Sequence, residues 1–325
     1  MIKNFIDSKF NHFNSLTLKK ASESYVEQIQ KGNKMMITMA GAMSTALIGK
    51  MGLVDMINKG AVHAITCTGA NLEEDIFRLI ADTQYKIIPE WRTHRAEEDL
   101  ELGKTHARVT DIAIPEEYAI RKLEKLMLAE WKDALKENSP KFPYEFIFNL
   151  FRKEKIQPLI ERSLEDSWVY ACFKKNIPIF VPGWEDSTLG NIFTSYCTEV
   201  NPRADKLQPF VVKSGVEVMM DLIKWYTTTT KKTKVGFYQI GGGIAGDFPI
   251  CVVPLLRADL ELDVHHWSYF CQICDSTESY GSYSGARPNE KISWDKLSPE
   301  SPSFVIESDA TIVLPLMFSY IVESL

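Results

Sequence analysis

The sequence predicts an α/β fold, in which helices cover a mostly parallel sheet. Short apolar runs typical of buried strands alternate along the chain with longer segments whose apolar residues recur near the helical period. Several of these runs end in glycine or small polar residues that open a helix, as in right-handed βαβ units.

The predicted strands are residues 35–40, 61–68, 177–181, 234–240, a segment within 262–273, and 302–307. The predicted helices are a segment that follows the turn at Gly41 and ends at Leu53, one that begins near Asn71, and residues 115–137, 163–175, 211–226, 250–260 and 310 onward. Residues 115–137 are the clearest helix, because Pro115 suits a first helical position and the apolar spacing is regular. Asn71 and Glu74 have the spacing of a capping box. Residues 1–34 are expected to form an N-terminal helical arm of one domain, residues 1–325.

Composition narrows the class of protein. Of 325 residues, 45% are hydrophobic and 25% charged, which excludes a disordered or collagen-like chain. The formal net charge of −6 argues against a nucleic-acid-binding face, which needs a basic patch.

No membrane segment or secretory leader is predicted. The N-terminal residues lack an apolar core of the kind found in signal peptides. The longest apolar stretch, residues 310–322, is interrupted by Pro315 and is shorter than the roughly 20 residues that span a bilayer. We therefore expect a cytoplasmic protein with reduced cysteines. Cys271 and Cys274 form one CxxC, but a zinc site needs four ligands, so buried thiols are favoured over zinc.

Four segments that directly follow predicted strands carry candidate site chemistry, because ligands of open α/β sheets bind beyond the carboxyl ends of strands. Residues 241–246 satisfy GxGxxG between a strand and a helix, which suits a phosphate-bearing ligand or, alternatively, an ordinary turn. Residues 68–75 contain glutamates that can accept hydrogen bonds from ribose hydroxyls or simply cap a helix. Residues 184–191 contain Asp186 and Asn191, in either a ligand site or a capped loop.

The fourth segment, residues 280–296, is a long polar loop that ends in Trp294 and Lys296. A lysine partly desolvated by tryptophan has a lowered pKa, and its neutral amine can form an imine. The alternative is a solvated surface lysine.

Taken together, these segments resemble the deoxyhypusine synthase family, from about Ile37 to the C-terminus. The matching pieces are TGANLEED (68–75), EDSTLGN (185–191), GGG (241–243), SGARPNEKISWDK (284–296) and SDATIVLPL (308–316). The resemblance implies a Rossmann-like, doubly wound domain that assembles as a homotetramer. It also implies that NAD oxidises a polyamine, and that a lysine carries the aminobutyl group as an imine to a protein lysine or a small amine.

By position, the resemblance assigns imine formation to Lys296, its aromatic neighbour to Trp294, and amine binding to Glu290. The implied NAD contacts are Ser44, Thr45, Thr68, Glu74, Asp186, Gly241, Gly242, Gly243, Gly281, Asp309 and Ala310.

Departures from the family pattern fall in the amine pocket. Gly246 and Asp247 replace a Lys-His pair, Asn191 replaces an aspartate, and Tyr280 and Tyr283 replace two more. Each buried ammonium group needs a carboxylate partner. We therefore expect Asn191, Asp247 and Tyr283 to contact the substrate and to change which amine fits.

The leading hypothesis is an NAD-dependent aminoalkyl transferase that acts on a polyamine or related amine. A non-catalytic regulatory paralogue would bind NAD without turnover. A dehydrogenase that transfers only hydride would release NADH and form no covalent intermediate.

Overall fold

The computed structural model describes residues 1–202, 206–278 and 281–325. Its strands are β1 (Lys34–Met39), β2 (Ala64–Cys67), β3 (Lys86–Ile87), β4 (His106–Val109), β5 (Ile112–Pro115), β6 (Ile179–Phe180), β7 (Val235–Ile240), β8 (Phe270–Ile273) and β9 (Ser303–Ile306). Six of these form one sheet in the order β6-β2-β1-β7-β8-β9, and every neighbouring pair is parallel. A second, antiparallel sheet has the order β3-β5-β4.

The strand order confirms the predicted doubly wound, mostly parallel α/β class. From β1 the chain builds outward through β2 and β6, returns to β7 on the other side of β1, and continues through β8 and β9. This is the Rossmann order, in which ligands bind where the direction of winding changes. That point lies between the carboxyl ends of β1 and β7, where the Ala40 amide donates to Ile240 O at 3.0 Å.

Helices cover both faces of the large sheet. They are α1 (Ile2–Lys9), α2 (Phe13–Gln30), α3 (Val54–Asn58), α4 (Gly69–Ala81), α5 (Ala96–Leu102), α6 (Lys122–Lys136), α7 (Pro143–Arg152), α8 (Trp168–Lys175), α9 (Thr188–Cys197), α10 (Gly215–Thr230), α11 (Ile244–Ile250), α12 (Val252–Pro254), α13 (Pro288–Ser293) and α14 (Ala310–Ser324). None of them, within the described ranges, is both long and apolar enough to cross a membrane.

Side chains of β1 alternate between two apolar clusters, as a strand buried on both faces requires. Met35, Ile37 and Met39 belong to a cluster that includes residues of α2, α4, α6, α8 and α14. Met36 belongs to a second cluster, with residues of α10 and α12. The sheet therefore lies in the middle of the core, and its carboxyl edge is held rigidly.

Of residues 1–34, those in α1 and α2 are helical, and α2 is built into the core. Tyr25 is fully buried, and its hydroxyl donates to Ala61 O at 2.8 Å. The hydroxyl of Tyr269 donates to Ala21 O of α2 at 3.0 Å. These bonds join α2 to the rest of the core, and the assignment of residues 1–34 to an arm of one domain stays a prediction.

Among the helix boundaries that differ from the sequence prediction, three differ for reasons that are local. Gly52 has φ +124°, so the segment predicted as a helix through Leu53 becomes a series of turns and a π turn before α3. Thr68, rather than Asn71, is the N-cap of α4, and its side chain accepts from the Asn71 amide. Ser214 and Glu217 form a capping box, so α10 begins at Gly215.

Candidate active site

The four candidate segments meet at the carboxyl edge of the large sheet. A Cβ atom added to Gly242 would lie 1.6 Å from Ser284 Oγ, so the glycine turn after β7 touches the loop after β8. A Cβ atom added to Gly69 would lie 2.6 Å from Ser187 Cβ, so the segments after β2 and β6 touch as well. Thr68 Oγ1 donates to Gly41 O at 2.8 Å and joins the loop after β1 to that after β2.

Asn71 holds the turn that follows β1. Its side-chain amide nitrogen is within hydrogen-bond distance of Met39 O (3.2 Å), Ala40 O (3.2 Å) and Gly41 O (2.9 Å). Its Oδ1 accepts from the Ser44 amide at 2.9 Å, and its backbone carbonyl accepts from Ser44 Oγ at 2.6 Å. One side chain therefore satisfies the backbone groups released where β1 ends.

Four of the predicted NAD contacts belong to this hydrogen-bonded network. Ser44 Oγ also accepts from Trp168 Nε1 at 2.9 Å, and Thr45 Oγ1 donates to Glu74 Oε2 at 2.7 Å. Thr68 caps α4. The polar atoms of these residues are engaged with protein partners, so the network shapes one wall of the site.

Three consecutive carboxyl groups are buried at the start of α4. Glu73 accepts from the amides of Thr188 (2.9 Å) and Leu189 (2.7 Å) and so fastens the start of α9. Asp75 accepts from Ser167 Oγ and from the Val169 amide. Burial raises the pKa of Glu73, Glu74 and Asp75 to about 7 each, and hydrogen bonding to each carboxyl opposes the shift.

Because of this cluster, we expect the free energy of unfolding to fall as pH rises from 6 to 8. A carboxyl group whose pKa is higher in the folded than in the unfolded protein binds more protons when folded. Its stabilising effect is complete below the unfolded pKa, about 4, and is lost as pH rises through about 7. We expect each group to add about 1 kcal/mol to the free energy of unfolding when pH falls from 8 to 6.

Urea unfolding at pH 6, 7 and 8 measures this effect. Asp75→Asn removes one of the three carboxyl groups, so the change in the free energy of unfolding between pH 6 and pH 8 should be smaller by the share of that group. Asp55→Asn, at an exposed position in α3, is the matched control and should leave the profile unchanged. Identical slopes for the native protein and Asp75→Asn would contradict the prediction.

The glycine turn after β7 suits a bound dinucleotide. Gly241 and Gly243 have φ +77° and +60°, and a Cβ atom added to Gly243 would meet nothing within 4 Å. The backbone is therefore open to a ligand at Gly243, beside the change of winding between β1 and β7. The Gly241 carbonyl accepts from the side-chain amides of Gln239 and Gln272, each at 3.1 Å, which fixes the turn.

The remaining predicted NAD contacts lie on loops of the same edge. Asp309 accepts from the amide and hydroxyl of Thr311 and caps α14, which begins at Ala310. Asp186 is exposed in the turn after β6. Gly281 has φ +75° and open space around it. These positions therefore follow strands or precede a helix at the carboxyl edge of the sheet, and their contact with a dinucleotide stays a prediction.

Lys296 is buried among the groups expected to surround it. It is 9% exposed, and its Nζ lies 5.2 Å from the ring centroid of Tyr283 and 5.7 Å from that of Trp294. Burial raises the pKa of Asp247 to about 6, and the nearby ammonium groups of Lys296 and Lys291 oppose that rise. Burial also raises the pKa of the Cys251 thiol, again opposed by Lys296. The lysine is therefore not a solvated surface residue.

Other residues predicted to act at the site are more exposed than Lys296. The Trp294 side chain is 64% exposed, and Glu290 is exposed in α13. Asn191 is also exposed, and its amide donates to Glu185 O (2.9 Å) and Ser187 O (2.8 Å), which closes its own turn. Tyr280 lies outside the described residues. The structure thus brings Asp247, Tyr283 and Trp294 to Lys296.

Sequence reasoning missed Lys291. This side chain is 2% exposed, its Nζ donates to Ala286 O at 2.8 Å, and it lies 4.8 Å from the Tyr283 ring centroid. Its position five residues before Lys296, in the short helix α13, was the available signal. Cys251 was missed because it follows a helix rather than a strand.

The six cysteines are free thiols. Within the described ranges, no group of three or more histidine, cysteine, aspartate or glutamate side chains could hold a metal ion. His266, which lies near the CxxC pair in the sequence, contacts Asp295, with Nε2 at 2.6 Å from Oδ1.

A sequence model described as deoxyhypusine synthase matches residues 5–321. The chain is 23% identical over 313 residues to "Probable deoxyhypusine synthase 1" of Archaeoglobus fulgidus, covering 96% of this chain and 90% of the relative. It is 29% identical over 278 residues to "Probable deoxyhypusine synthase" of Sulfurisphaera tokodaii, covering 86% and 78%.

A solved structure shows the same fold. The crystal structure of an Entamoeba histolytica protein assigned to deoxyhypusine synthase superposes with a TM-score of 0.55 at 15% sequence identity. The match covers 98% of this chain and 92% of that one.

Proposed function

The chain belongs to the deoxyhypusine synthase family, and from that membership we propose that it is an NAD-dependent aminoalkyl transferase of the aminobutyl type. Its donor is a polyamine or a related amine, and Lys296 carries the transferred group as an imine. The single observation that carries this proposal is the burial of Lys296 between Tyr283 and Trp294, next to Asp247.

NAD would be held between the loops after β1 and β7, with Gly241, Gly242 and Gly243 on one side and the Asn71 network on the other. When bound, it would supply the oxidation of the donor amine to an imine and the later return of the same hydride. Asp309 and Ala310, at the start of α14, are proposed as further contacts of NAD.

The lysine step follows from the chemistry of an uncharged amine. Lys296 Nζ attacks the carbon of the protonated imine and forms a new C–N bond. One proton then passes from Nζ to the original nitrogen, the original C–N bond breaks, and the small amine leaves uncharged while Lys296 holds the protonated imine. An acceptor amine then attacks the same carbon and releases Lys296. Asp247, which titrates near pH 6, is an anion at neutral pH and can hold the ammonium form of the lysine or of the substrate.

The acceptor is a small amine or a protein lysine, as the family implies. Tyr283 takes the place of a carboxylate and its hydroxyl donates to Gln239 Oε1 at 3.2 Å, so it offers the substrate an aromatic face rather than a charge. A ring face attracts an ammonium group more weakly than a paired carboxylate does. We also propose, from the family resemblance, that four copies of the chain assemble as a homotetramer in the cytoplasm.

The test is a trapping experiment. The purified protein is incubated with NAD and one of putrescine, spermidine or agmatine, and borohydride is then added. We expect an alkyl adduct on Lys296 with at least one amine, read by peptide mass spectrometry, and little free NADH. Free NADH without an adduct would favour hydride transfer alone, and NAD binding without either product would favour a non-catalytic paralogue.

A further inference from the structure

Two lysine side chains lie against one aromatic ring at the candidate site. The Nζ atoms of Lys291 and Lys296 lie 4.8 Å and 5.2 Å from the ring centroid of Tyr283. Both side chains are buried, at 2% and 9% exposure. No carboxylate oxygen lies within 4.0 Å of either nitrogen among residues 1–202, 206–278 and 281–325, and neither forms an ion pair there.

Among the residues that the structure describes, few titratable or aromatic groups lie around this pair. Those that face Lys296 or Lys291 are Asp247 in α11, Cys251 after it, Tyr283, Glu290 in α13 and Trp294. Asp295, next to Lys296 in the chain, is bound by Arg257 at 2.7 Å and His266 at 2.6 Å. Asp247 is therefore the carboxylate that faces both ammonium groups.

Two like charges in a buried site disfavour each other, because solvent and salt screen them poorly there. Lys291 also has a fixed position, since its Nζ donates to Ala286 O at 2.8 Å and lies 4.9 Å from the Phe270 ring. The charge of Lys291 is thus held in place beside Lys296.

We propose that Lys291 is a positioning residue that acts through its charge: its buried ammonium disfavours a second positive charge at Lys296 and so favours the uncharged amine that can attack carbon. This inference deepens the proposed function and rests on it for its purpose. The physical effect on Lys296 exists whether or not the protein is a transferase.

The pH at which the effect should vanish is set by Lys291 itself. Burial, followed by the charge of Lys296, lowers the pKa of Lys291 to about 8. Below pH 8 Lys291 is charged and assists Lys296. Above pH 8 the charge, and with it the assistance, is lost.

Acetylation of Lys296 by acetic anhydride measures its uncharged fraction without NAD or substrate. The rate is read by peptide mass spectrometry at pH 7 and at pH 9.5, relative to exposed Lys59 in the same sample. Lys291→Gln keeps a donor for Ala286 O but removes the charge, and Lys291→Arg keeps both.

We expect Lys291→Gln to slow Lys296 acetylation roughly tenfold at pH 7 and to have little effect at pH 9.5. Lys291→Arg should match the native protein at pH 7 and react faster than it at pH 9.5. A slowing of equal size at both pH values would mean that Lys291 acts only through packing, and would overturn the inference.

Asp247→Asn gives an independent reading should either Lys291 variant fold poorly. Removing the carboxylate should speed Lys296 acetylation at pH 7, since the ammonium form loses its stabilising partner. No change in Lys296 acetylation would count against a charge-controlled lysine. If the acetylation rates behave as expected but borohydride traps no adduct with any amine, the proposed function fails and the inference about Lys291 stands.

Discussion

Lys296→Ala is expected to lower the rate of adduct formation with NAD and a donor amine by at least about 10³-fold, while NAD still binds. The reason is that no other amine in the described part of the chain can replace it at the crevice. Lys291 is nearer to the core, with 2% exposure, and its Nζ is held by Ala286 O. Removing the carrier nitrogen therefore removes the covalent step itself.

The measurement is borohydride trapping followed by peptide mass spectrometry, with NAD binding followed separately by calorimetry. Lys59→Ala, at an exposed position, is the matched control and should leave trapping unchanged. An adduct that persists in Lys296→Ala would show that another nitrogen carries the group. Loss of NAD binding together with the adduct would instead show that Lys296 holds the crevice together.

The large sheet could be predicted from the sequence because its strands are buried on both faces. Such strands read as continuous apolar runs, as in residues 35–39 and 235–240, and the following glycines mark where they end. Strands β3 and β4 were missed because Lys86, His106 and Arg108 interrupt their apolar pattern, and β5 was missed because its last residue, Pro115, was predicted to begin a helix. Strand order was not predictable from local pattern, since pairing depends on contacts between distant segments.

The site was predictable in part for the same reason. Loops after parallel strands meet at one edge of the sheet, so the glycine turn and the segment ending at Lys296 could be placed there in advance. The hydrogen-bond network around Asn71 could not be predicted, because its partners after β1 lie about thirty residues away in the chain. The capping pattern that includes Asn71 is local, and the tertiary contacts overrode it. Lys291 was missed because its neighbours in the chain, Glu290 and Ile292, give no local sign that the lysine is buried.

Asn71→Ala is expected to lower the free energy of unfolding by about 2–4 kcal/mol. Asn71 is fully buried, so its removal takes the side-chain partner from the Ser44 amide and the Ala40 carbonyl, while Met39 O and Gly41 O keep their hydrogen bonds from Thr68. A cavity at that point admits water poorly, and each buried group that stays unpaired adds its own desolvation cost.

Urea unfolding measures the loss, and two further variants decide its cause. Asn11→Ala removes an exposed asparagine that donates only to Ser8 O at 3.3 Å, and should change stability by less than about 0.5 kcal/mol. Asn71→Asp keeps the shape and the acceptor for the Ser44 amide, but it turns a carboxyl oxygen toward Met39 O, Ala40 O and Gly41 O. At neutral pH it should therefore destabilise the protein more than alanine does. If aspartate proves the milder change, the side chain fills space rather than holding carbonyls, and the turn after β1 must owe its shape to Thr68 and Ser44 instead.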